Sequence, residues 1–482
     1  MKIYRIIVIS IIVLVAFAFK IVETHSVNNK ELVKEFNMVP HLTRDSQVEG
    51  SCTTIQDRGF LRVDDNGRYF VFDDGTPYIP IGLNKFPLYL LEDSAIDSLL
   101  SKWSEHDINY LRIWVGIGAD PEIEVGKYDE ERMRKLDFII RSCEKYGIYL
   151  VICFWNDNCI REQDGEWGWN GSQQIYNKDN HPQGTTTDAN DLKDVAHKPS
   201  WDAMQNRFRH FVERWKDEPI IIIWDLVNDS KKTEAWKTQM YEFVKEIDET
   251  GRIITFQYNT GKDPKGEMDC GSVRVYNYNP EGNDPEEMMI SLAERIRQGI
   301  SHGDPVYCGE GRMDYENGSS YELERGYLHF LWGPMAVGAA GNLHSWTSIL
   351  YSKDRWPNPS EQELNWTKHY AEFCKKINWA QFNSRNVNEE IEPVQSNIKA
   401  FACRSNSEML LYLMNDDPAH EFKTTHTQLK ITSDFDEGLY VLNWIDIRTG
   451  KSIHSSEIST FPGIVETPDF KDGLFCHIQK KE

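Results

Sequence analysis

The chain has 482 residues and a formal net charge of −23 at pH 7, from 53 basic and 76 acidic side chains. This charge argues against a nucleic-acid-binding protein, because such proteins need a basic surface to bind phosphates. A hydrophobic fraction of 40% with 12% aromatic residues excludes a disordered chain. The length suits one large domain and one small domain, and we expect a neutral or cationic partner.

The N-terminus has the pattern of a signal peptide. Lys2 and Arg5 precede an apolar run over 6–19, after which the sequence is polar. This order is typical of export signals, and the run is short for a membrane span. We predict a signal peptide over 1–25 and a secreted or periplasmic location, with an N-terminal membrane anchor as the alternative. Residues 26–56 lack periodicity and are predicted to be a linker.

The nine cysteines predict neither a metal site nor a disulfide framework. None of them forms a Cys-x-x-Cys pair or a Cys/His cluster with metal-ligand spacing, so we expect no metal and no cofactor. Cys153 and Cys308 lie in apolar, strand-like runs and are predicted to be buried thiols. Cys153 and Cys159 are close in sequence, but we predict no bridge between them.

A β-hairpin is predicted before the main series of elements. The segments 60–64 and 69–73 flank Asp-Asn-Gly at 65–67, which is a typical hairpin turn. A second turn at 74–77 leads into the first predicted core strand.

Strand and helix patterns then alternate for about 300 residues. The predicted strands are 78–84, 108–115, 148–155, 220–229, 252–258, 272–278, 305–310 and 342–350. The predicted helices are 91–106, 129–146, 201–216, 234–249, 285–300, 321–339 and 361–377. Eight strands with intervening helices predict an α/β protein with a closed (β/α)₈ TIM barrel. The segment 260–271 offers little helix after the fifth strand, so an open doubly wound sheet is the alternative, although no Gly-x-Gly-x-x-Gly follows a strand.

The pattern changes after residue 382. Short β runs separated by turns predict a small all-β sandwich over 383–482, following a barrel domain with its hairpin over 57–382. The predicted β runs are 398–403, 409–413, 428–431, 438–444, 458–461 and 473–478.

Chemically useful side chains recur where the predicted barrel strands end. Active groups of parallel barrels lie beyond the C-terminal ends of the strands. The residues at these positions are Asn84, Arg112, Trp155, Asn156, Asp157, Asn228, Asp229, Tyr276, Tyr278, Glu310, His344 and Trp346. Among them, Asp229 and Glu310 are carboxylates on the fourth and seventh strands. A pair of carboxylates across a barrel mouth is what glycoside cleavage requires.

Two of these strand ends resemble a known group of enzymes. The sequence Trp-Asp-Leu-Val-Asn-Asp at 224–229 resembles the Trp-Glu-Leu-x-Asn-Glu ending of strand four in glycoside hydrolase clan A barrels, which include many cellulases and mannanases. The sequence Pro-Val-Tyr-Cys-Gly-Glu at 305–310 is similar to their strand-seven nucleophile segment. The resemblance covers about residues 57–380 through short motifs. It implies a retaining glycosidase.

The resemblance also implies roles for individual residues. Glu310 would be the nucleophile and Asp229 the acid/base residue. Asn228 would bind the hydroxyl next to the anomeric carbon. The remaining candidate substrate contacts or orienting groups are Arg112, Trp155, Asn156, Tyr276, Tyr278, His344 and Trp346. The alternatives are a structural ion pair for Arg112, barrel-rim packing for the tyrosines and a structural wall histidine for His344.

Asp229 departs from the clan pattern, which has Glu at this position. An Asp carboxyl reaches about 1–1.5 Å less far from the backbone. Three interpretations follow: Asp229 serves with a reshaped backbone, Asp157 or Asp225 replaces it, or the site only binds sugar. Apiosidase-like clan members, which this chain resembles at 440–451 in the C-terminal domain, are understood to use Asp here.

The long polar segment 156–199 is predicted to be a lid or subsite wall, favouring a short, exo-type pocket. Its aromatic and imidazole candidates are Trp167, Trp169, Tyr176 and His181. The prediction is therefore a secreted hydrolase of O-glycosidic bonds in a plant or microbial polysaccharide or oligosaccharide. The alternative from another class is a catalytically inactive carbohydrate-binding barrel.

Overall fold

A computed structural model of the chain describes residues 55–481, apart from several internal stretches. The stretches outside the description are 86–87, 117–119, 158–174, 229, 257–267, 277–284, 313–319, 345–357 and 417–423, together with the side chains of a few residues at element ends. The predicted signal peptide and nearly all of the predicted linker lie outside the described residues.

The described chain begins with a short helix, α1 (Ile55–Arg58), and a small antiparallel sheet. Its strands are β1 (Leu61–Val63), β2 (Phe70–Phe72) and β3 (Pro77–Tyr78). Leu61 pairs with Phe72, and Gly67 adopts a φ of 69° in the turn between them, a conformation that glycine accepts readily. The predicted hairpin is confirmed.

Eight parallel strands form the central sheet, and all eight predicted core strands are present. They are β4 (Ile81–Asn84), β5 (Tyr110–Trp114), β8 (Tyr149–Cys153), β9 (Ile221–Asp225), β10 (Ile253–Thr255), β11 (Gly271–Tyr276), β12 (Val306–Arg312) and β13 (Gly341–His344), with a hairpin of β6 (Glu122–Glu124) and β7 (Lys127–Tyr128) after β5. The strand order is β10-β9-β8-β5-β4-β13-β12-β11. Because β13 pairs with β4, the sheet curves round on itself, as the barrel prediction requires.

Helices alternate with these strands as predicted. They are α2 (Asp93–Ser104), α3 (Glu130–Tyr146), α4 (Lys198–Trp215), α5 (Glu234–Ile247), α6 (Pro285–Ile300), α7 (Ser320–Val337) and α8 (Glu361–Cys374), with 3₁₀ turns at Leu88–Leu90, Ala189–Leu192 and Asn388–Glu390. The sequence fixes their ends locally. Asp129 caps α3 by accepting from the amides of Glu131 and Arg132, and Gly147 ends it with a φ of 68°.

The two end strands, β10 and β11, meet at a seam. Among the described residues no strand ladder joins them. Instead, Asp269, just before β11, donates its N–H to the Ile254 carbonyl at 2.9 Å and accepts from the Ile254 N–H through Oδ2 at 2.7 Å. Thr255 Oγ1 donates to the Cys270 carbonyl at 2.8 Å. The barrel is therefore nearly closed, with side chains in place of part of the ladder.

The C-terminal region is all β, as predicted. Its strands are β14 (Arg385–Asn386), β15 (Ile391–Pro393), β16 (Ile398–Arg404), β17 (Glu408–Asn415), β18 (Gln428–Ile431), β19 (Tyr440–Asp446), β20 (Ser452–Ile458), β21 (Gly463–Glu466) and β22 (Gly473–Lys480). They form sheets of order β14-β16-β17-β22-β19-β20 and β15-β18-β21. The predicted strand over 458–461 is wrong, because β20 ends at Ile458 and β21 begins only at Gly463.

The six-stranded sheet packs on helix α7 of the barrel. The Trp332 indole N–H donates to the Ile447 carbonyl at 2.9 Å, and its ring centroid lies 5.0 Å from that of Phe475. His329 Nδ1 and the Tyr412 hydroxyl are 2.5 Å apart in the same interface. One continuous apolar cluster includes side chains of both parts. The domain boundary at residue 382 stays a prediction.

The seven described cysteines are all free and buried. Cys153 and Cys308 are among them, which confirms the prediction of buried thiols, and Cys159 lies outside the described residues. Burial raises the pKa of the Cys308 thiol to about 12, so these groups are poor nucleophiles. Within the described part of the chain, no helix is long and apolar enough to cross a membrane.

Candidate active site

Arg112 lies at the centre of a buried polar network at one end of the barrel. It belongs to β5, and neither its side chain nor that of Asp225 is exposed. Nε donates to Asp225 Oδ2 at 2.8 Å, and Nη2 donates to the same oxygen and to Asn228 Oδ1 at 2.9 Å. One guanidinium therefore fixes both the end of β9 and the segment that follows it.

Glu310 approaches the other side of the same guanidinium. Its Oε2 lies 3.6 Å from Arg112 Nη1, and its side chain is only 1% exposed. Burial opposes the charge of Arg112, but the carboxylates of Asp225 and Glu310 outweigh this effect and raise the pKa of Arg112 above its usual value. Arg112 is thus a fixed cation that favours the ionised form of a neighbouring carboxylate.

A bulge in β12 precedes Glu310. The register between β11 and β12 shifts there, so that Val273 pairs with Cys308 whereas Arg274 pairs with Glu310, skipping Gly309. A Cβ atom on Gly309 would lie 2.0 Å from Ser272 Oγ. Bulges redirect side chains near functional sites, and here only glycine fits beside Ser272 without a shift.

The segments after β8 and β9 continue side by side beyond the strands. Asn156 forms a parallel bridge with Asn228; the Asn228 N–H donates to the Trp155 carbonyl at 2.8 Å, and the Asp157 N–H donates to the Asn228 carbonyl at 3.1 Å. The predicted residues on these two strand ends are therefore brought together. Trp155 is 2% exposed and Asn156 1%, and their predicted roles as substrate contacts stay predictions.

Asp157 binds the segment that follows Asn228. Its Oδ1 accepts from the Trp155 indole at 2.9 Å and forms an ion pair with Lys232 Nζ at 3.0 Å, with both side chains fully buried. Its Oδ2 accepts from the Lys231 N–H at 2.6 Å. Lys232 was not among the predicted site residues, because a Lys-Lys pair after a strand is typical of a solvated loop.

These contacts bear on the two replacement acids considered from the sequence. Asp225 is the principal counter-ion of Arg112, and Asp157 is engaged by a buried lysine, an indole and a backbone amide. Both carboxylates thus already have cationic partners. Asp229 lies outside the described residues, so the choice among the three carboxylates stays a prediction.

Asn84 and Lys85 complete the described end of β4. With its amide oxygen turned toward the guanidinium, Asn84 accepts from Arg112 Nη1 at 3.3 Å and donates to the Arg112 carbonyl at 3.2 Å. Lys85 is 5% exposed, and burial lowers the pKa of its ammonium to about 8. Its position directly after Asn84 at a strand end is visible in the sequence, but Lys85 was not among the predicted site residues.

The described part of the loop after β8 corrects one expectation. Tyr176 is fully buried, and its hydroxyl donates to Glu122 Oε2 at 2.6 Å. Glu122 is in turn paired with Arg207 at 2.8 Å. Tyr176 therefore anchors the loop to the barrel and does not line a subsite wall. Trp167 and Trp169 lie outside the described residues.

Several predicted site residues cannot be placed next to this network. Asp229, Tyr278 and Trp346 lie outside the described residues. Tyr276 ends β11 and His344 ends β13, so the backbone puts both at C-terminal strand ends, while their side chains lie outside the description.

Comparisons with known proteins agree with this geometry. Residues 138–300 match the family model described as "Glycosyl hydrolases family 2, TIM barrel domain". A glycoside hydrolase family 5 structure from Bacteroides vulgatus aligns with a TM-score of 0.61 at 16% identity, covering 89% of this chain and 95% of that one. The barrel therefore resembles those of glycoside hydrolases in its fold. The likeness to apiosidase-like members stays a prediction.

The similar sequences and a further structure point in the same direction. The chain is 28% identical over 215 residues to mannan endo-1,4-beta-mannosidase 5 of Solanum lycopersicum, covering 40% of this chain and 49% of that protein. It is 29% identical over 213 residues to mannan endo-1,4-beta-mannosidase 3 of Arabidopsis thaliana, with 39% and 50% covered. The chain thus spans about half the length of these relatives. An endo-1,4-beta-mannanase structure from Rhizomucor miehei aligns with a TM-score of 0.50 at 16% identity, covering 66% of this chain and all of that one.

Proposed function

We propose that this barrel is of the clan A type and hydrolyses O-glycosidic bonds of a polysaccharide or oligosaccharide with retention of anomeric configuration. The observation that carries the proposal is the buried contact between Glu310 and Arg112, 3.6 Å apart at the C-terminal ends of the barrel strands. A buried carboxylate next to a fixed cation at this place is suited to nucleophilic attack on an anomeric carbon.

The reaction follows from two carboxyl groups with different roles. Glu310 attacks the anomeric carbon and forms a glycosyl-enzyme, while Asp229 protonates the departing glycosidic oxygen. Asp229 then removes a proton from water, which attacks the same carbon and releases Glu310. Asn228 donates its amide N–H to the neighbouring sugar hydroxyl, while Arg112 holds the amide oxygen at 2.9 Å.

A β-1,4-mannan is the first substrate to test. The matched relatives are described as mannan endo-1,4-beta-mannosidases, and the matching segments cover two fifths of this chain. We infer a plant-type or microbial glycan as the substrate class and propose mannan within it. Assays on β-1,4-mannohexaose and on internally labelled mannan distinguish cleavage inside the glycan chain from release of its terminal units. The long loop after β8 would favour release of terminal units.

Retention is tested by following the anomer formed first with proton NMR. The retained anomer is expected before mutarotation, and an inverted first product would contradict the nucleophilic role of Glu310. The Glu310→Gln and Asp229→Asn variants are each expected to lose at least 10³-fold in kcat, since each removes a reacting group. A binding-only barrel would show no turnover on any glycan but would retain sugar affinity in both variants.

We also propose that the N-terminal segment directs export. A fusion of residues 1–56 to a reporter enzyme that is active only outside the cytoplasm is expected to give activity in a bacterial host. Replacing Lys2 and Arg5 with Glu is expected to reduce that activity, because export signals need a basic start. N-terminal sequencing of the exported protein distinguishes a cleaved signal from a retained anchor.

A further inference from the structure

We propose that the buried ion pair between Asp157 and Lys232 positions the acid/base residue Asp229 by holding the chain on both sides of it. The two residues act through the backbone and are positioning residues rather than catalytic ones. The inference rests on the proposed function, in which Asp229 transfers the proton.

Asp157 binds the backbone immediately before and shortly after position 229. Its N–H donates to the Asn228 carbonyl at 3.1 Å, and its Oδ2 accepts from the Lys231 N–H at 2.6 Å. The two contacts therefore lie on either side of Asp229 and Ser230 in the sequence. Because Asp157 follows β8 in the sequence, its contacts connect this segment directly to the barrel.

Lys232, which follows Lys231, binds the Asp157 side chain directly. Its Nζ lies 3.0 Å from Asp157 Oδ1 and donates to the Leu192 carbonyl. The ammonium also lies 5.6 Å from the ring centroid of Trp155 and 4.9 Å from that of Trp236. Burial lowers the pKa of Lys232, and the Asp157 carboxylate opposes this shift.

Stability alone does not account for such a pair. Fully buried ion pairs are often no more stabilising than apolar side chains of similar volume, because both charges lose their hydration. A directional pair does, however, fix geometry, and proton transfer requires placement within about 0.5 Å. An Asp carboxyl reaches about 1–1.5 Å less far than a Glu carboxyl. An Asp acid therefore needs its backbone to be held at the position from which the carboxyl can reach the glycosidic oxygen.

The chain contains a matched control at the opposite end of the barrel. Asp248 is buried, accepts from the Trp224 indole at 2.6 Å and pairs with the buried Arg252 at 3.3 Å. Like Asp157, Asp248 is therefore a buried carboxylate that binds one indole and one cationic side chain. Asp248 follows α5 and Arg252 precedes β10, which places this pair at the N-terminal ends of the strands.

The kinetic test compares Asp157→Asn, Lys232→Met and Asp248→Asn on two substrates that differ in their need for acid assistance. β-1,4-Mannohexaose has a poor leaving group, whereas 2,4-dinitrophenyl β-mannobioside has a good one. Both site variants are expected to lose about 10²-fold in kcat on the first substrate and less than about 10-fold in the glycosylation rate on the second. Asp248→Asn is expected to affect both substrates equally. Equal losses in the site variants would overturn the proposal.

A second measurement does not depend on turnover. Hydrogen–deuterium exchange over residues 226–233 is expected to accelerate in Asp157→Asn and in Lys232→Met but not in Asp248→Asn, at temperatures where thermal unfolding shows all three folded. Unchanged exchange in this segment would overturn the positioning role even if the wild-type protein cleaves mannan. Absence of turnover in the wild-type protein would contradict the proposed function, while the exchange data would still decide whether the pair holds the segment.

Discussion

Arg112 Nη1 and Glu310 Oε2 lie 3.6 Å apart. Arg112 belongs to β5 and Glu310 to β12, and the strands β4 and β13 lie between these two in the barrel. The same guanidinium binds Asp225 Oδ2 and Asn228 Oδ1. A single buried cation therefore connects the proposed nucleophile to the residue that precedes the proposed acid. A disturbance of one half of the site should reach the other half through this group.

Replacement of Arg112 by methionine is expected to destabilise the protein by about 3–5 kcal/mol, because Asp225 would remain as a buried charge without its cation. Arg112→Lys keeps the charge but not the planar fork, so a smaller loss of stability and a drop of about 10²-fold in kcat/KM are expected. Urea unfolding and steady-state kinetics measure the two effects. A lysine variant with full activity would show that the fork geometry is not required.

Replacement of Gly309 by alanine is expected to displace Glu310. The added Cβ would lie 2.0 Å from Ser272 Oγ and 3.3 Å from Ser272 Cβ. Removing only the hydroxyl, in Gly309→Ala with Ser272→Ala, is therefore expected to recover most of the lost kcat. The single Ser272→Ala variant serves as the control, since this buried hydroxyl has no hydrogen-bond partner among the described residues. A double variant no better than Gly309→Ala would refute the steric explanation.

Lys85 is expected to make the free energy of unfolding depend on pH in the alkaline range. Burial lowers its pKa from 10.5 to about 8 in the folded protein, so the unfolded chain binds more protons between these values and stability rises with pH. The gain from pH 7 to pH 10 is expected to be on the order of 2 kcal/mol. Urea unfolding of wild type and Lys85→Met across this range should show the difference between them shrinking as pH rises. A constant difference would contradict the shift.

The barrel and the C-terminal sheets are expected to unfold together. Trp332 packs against Phe475 at 5.0 Å between ring centroids, and both belong to one apolar cluster. A chain ending at residue 382 would expose this face of α7 and is expected to be insoluble or unfolded. Calorimetry of the full chain should give one transition. Two separate transitions, or a soluble and active truncated barrel, would show that the two parts are independent.

The barrel could be predicted from sequence because its strands are apolar runs buried on both faces. The run at 220–225 is apolar up to Trp224, and β9 is buried throughout. Helix ends followed local capping signals, as Asp129 before α3 shows. In the β domain, an edge strand lacks this signal. The exposed strand β20, with the sequence Ser-Ile-His-Ser-Ser-Glu-Ile, is mostly polar and was missed.

The site was predicted in part for a similar reason. A residue at the end of a parallel strand has a known place, so Arg112, Asn228 and Glu310 could be assigned to one end of the barrel. Contacts between two loops have no such rule. The pairing of Asp157 with Lys232 depends on how two irregular segments cross, and neither residue carries a local pattern that indicates its partner.

The seam at Asp269 is the place where the barrel is expected to separate first. Elsewhere neighbouring strands share a ladder, whereas here one carboxylate stands in for a peptide group and binds the Ile254 N–H at 2.7 Å. That carboxylate also pairs with Lys245 at 2.7 Å, so one side chain supplies both a backbone hydrogen bond and an ion pair at the seam. Loss of this side chain should therefore open the barrel first between its fifth and sixth strands, and the Ile254 amide would be an early reporter of that event.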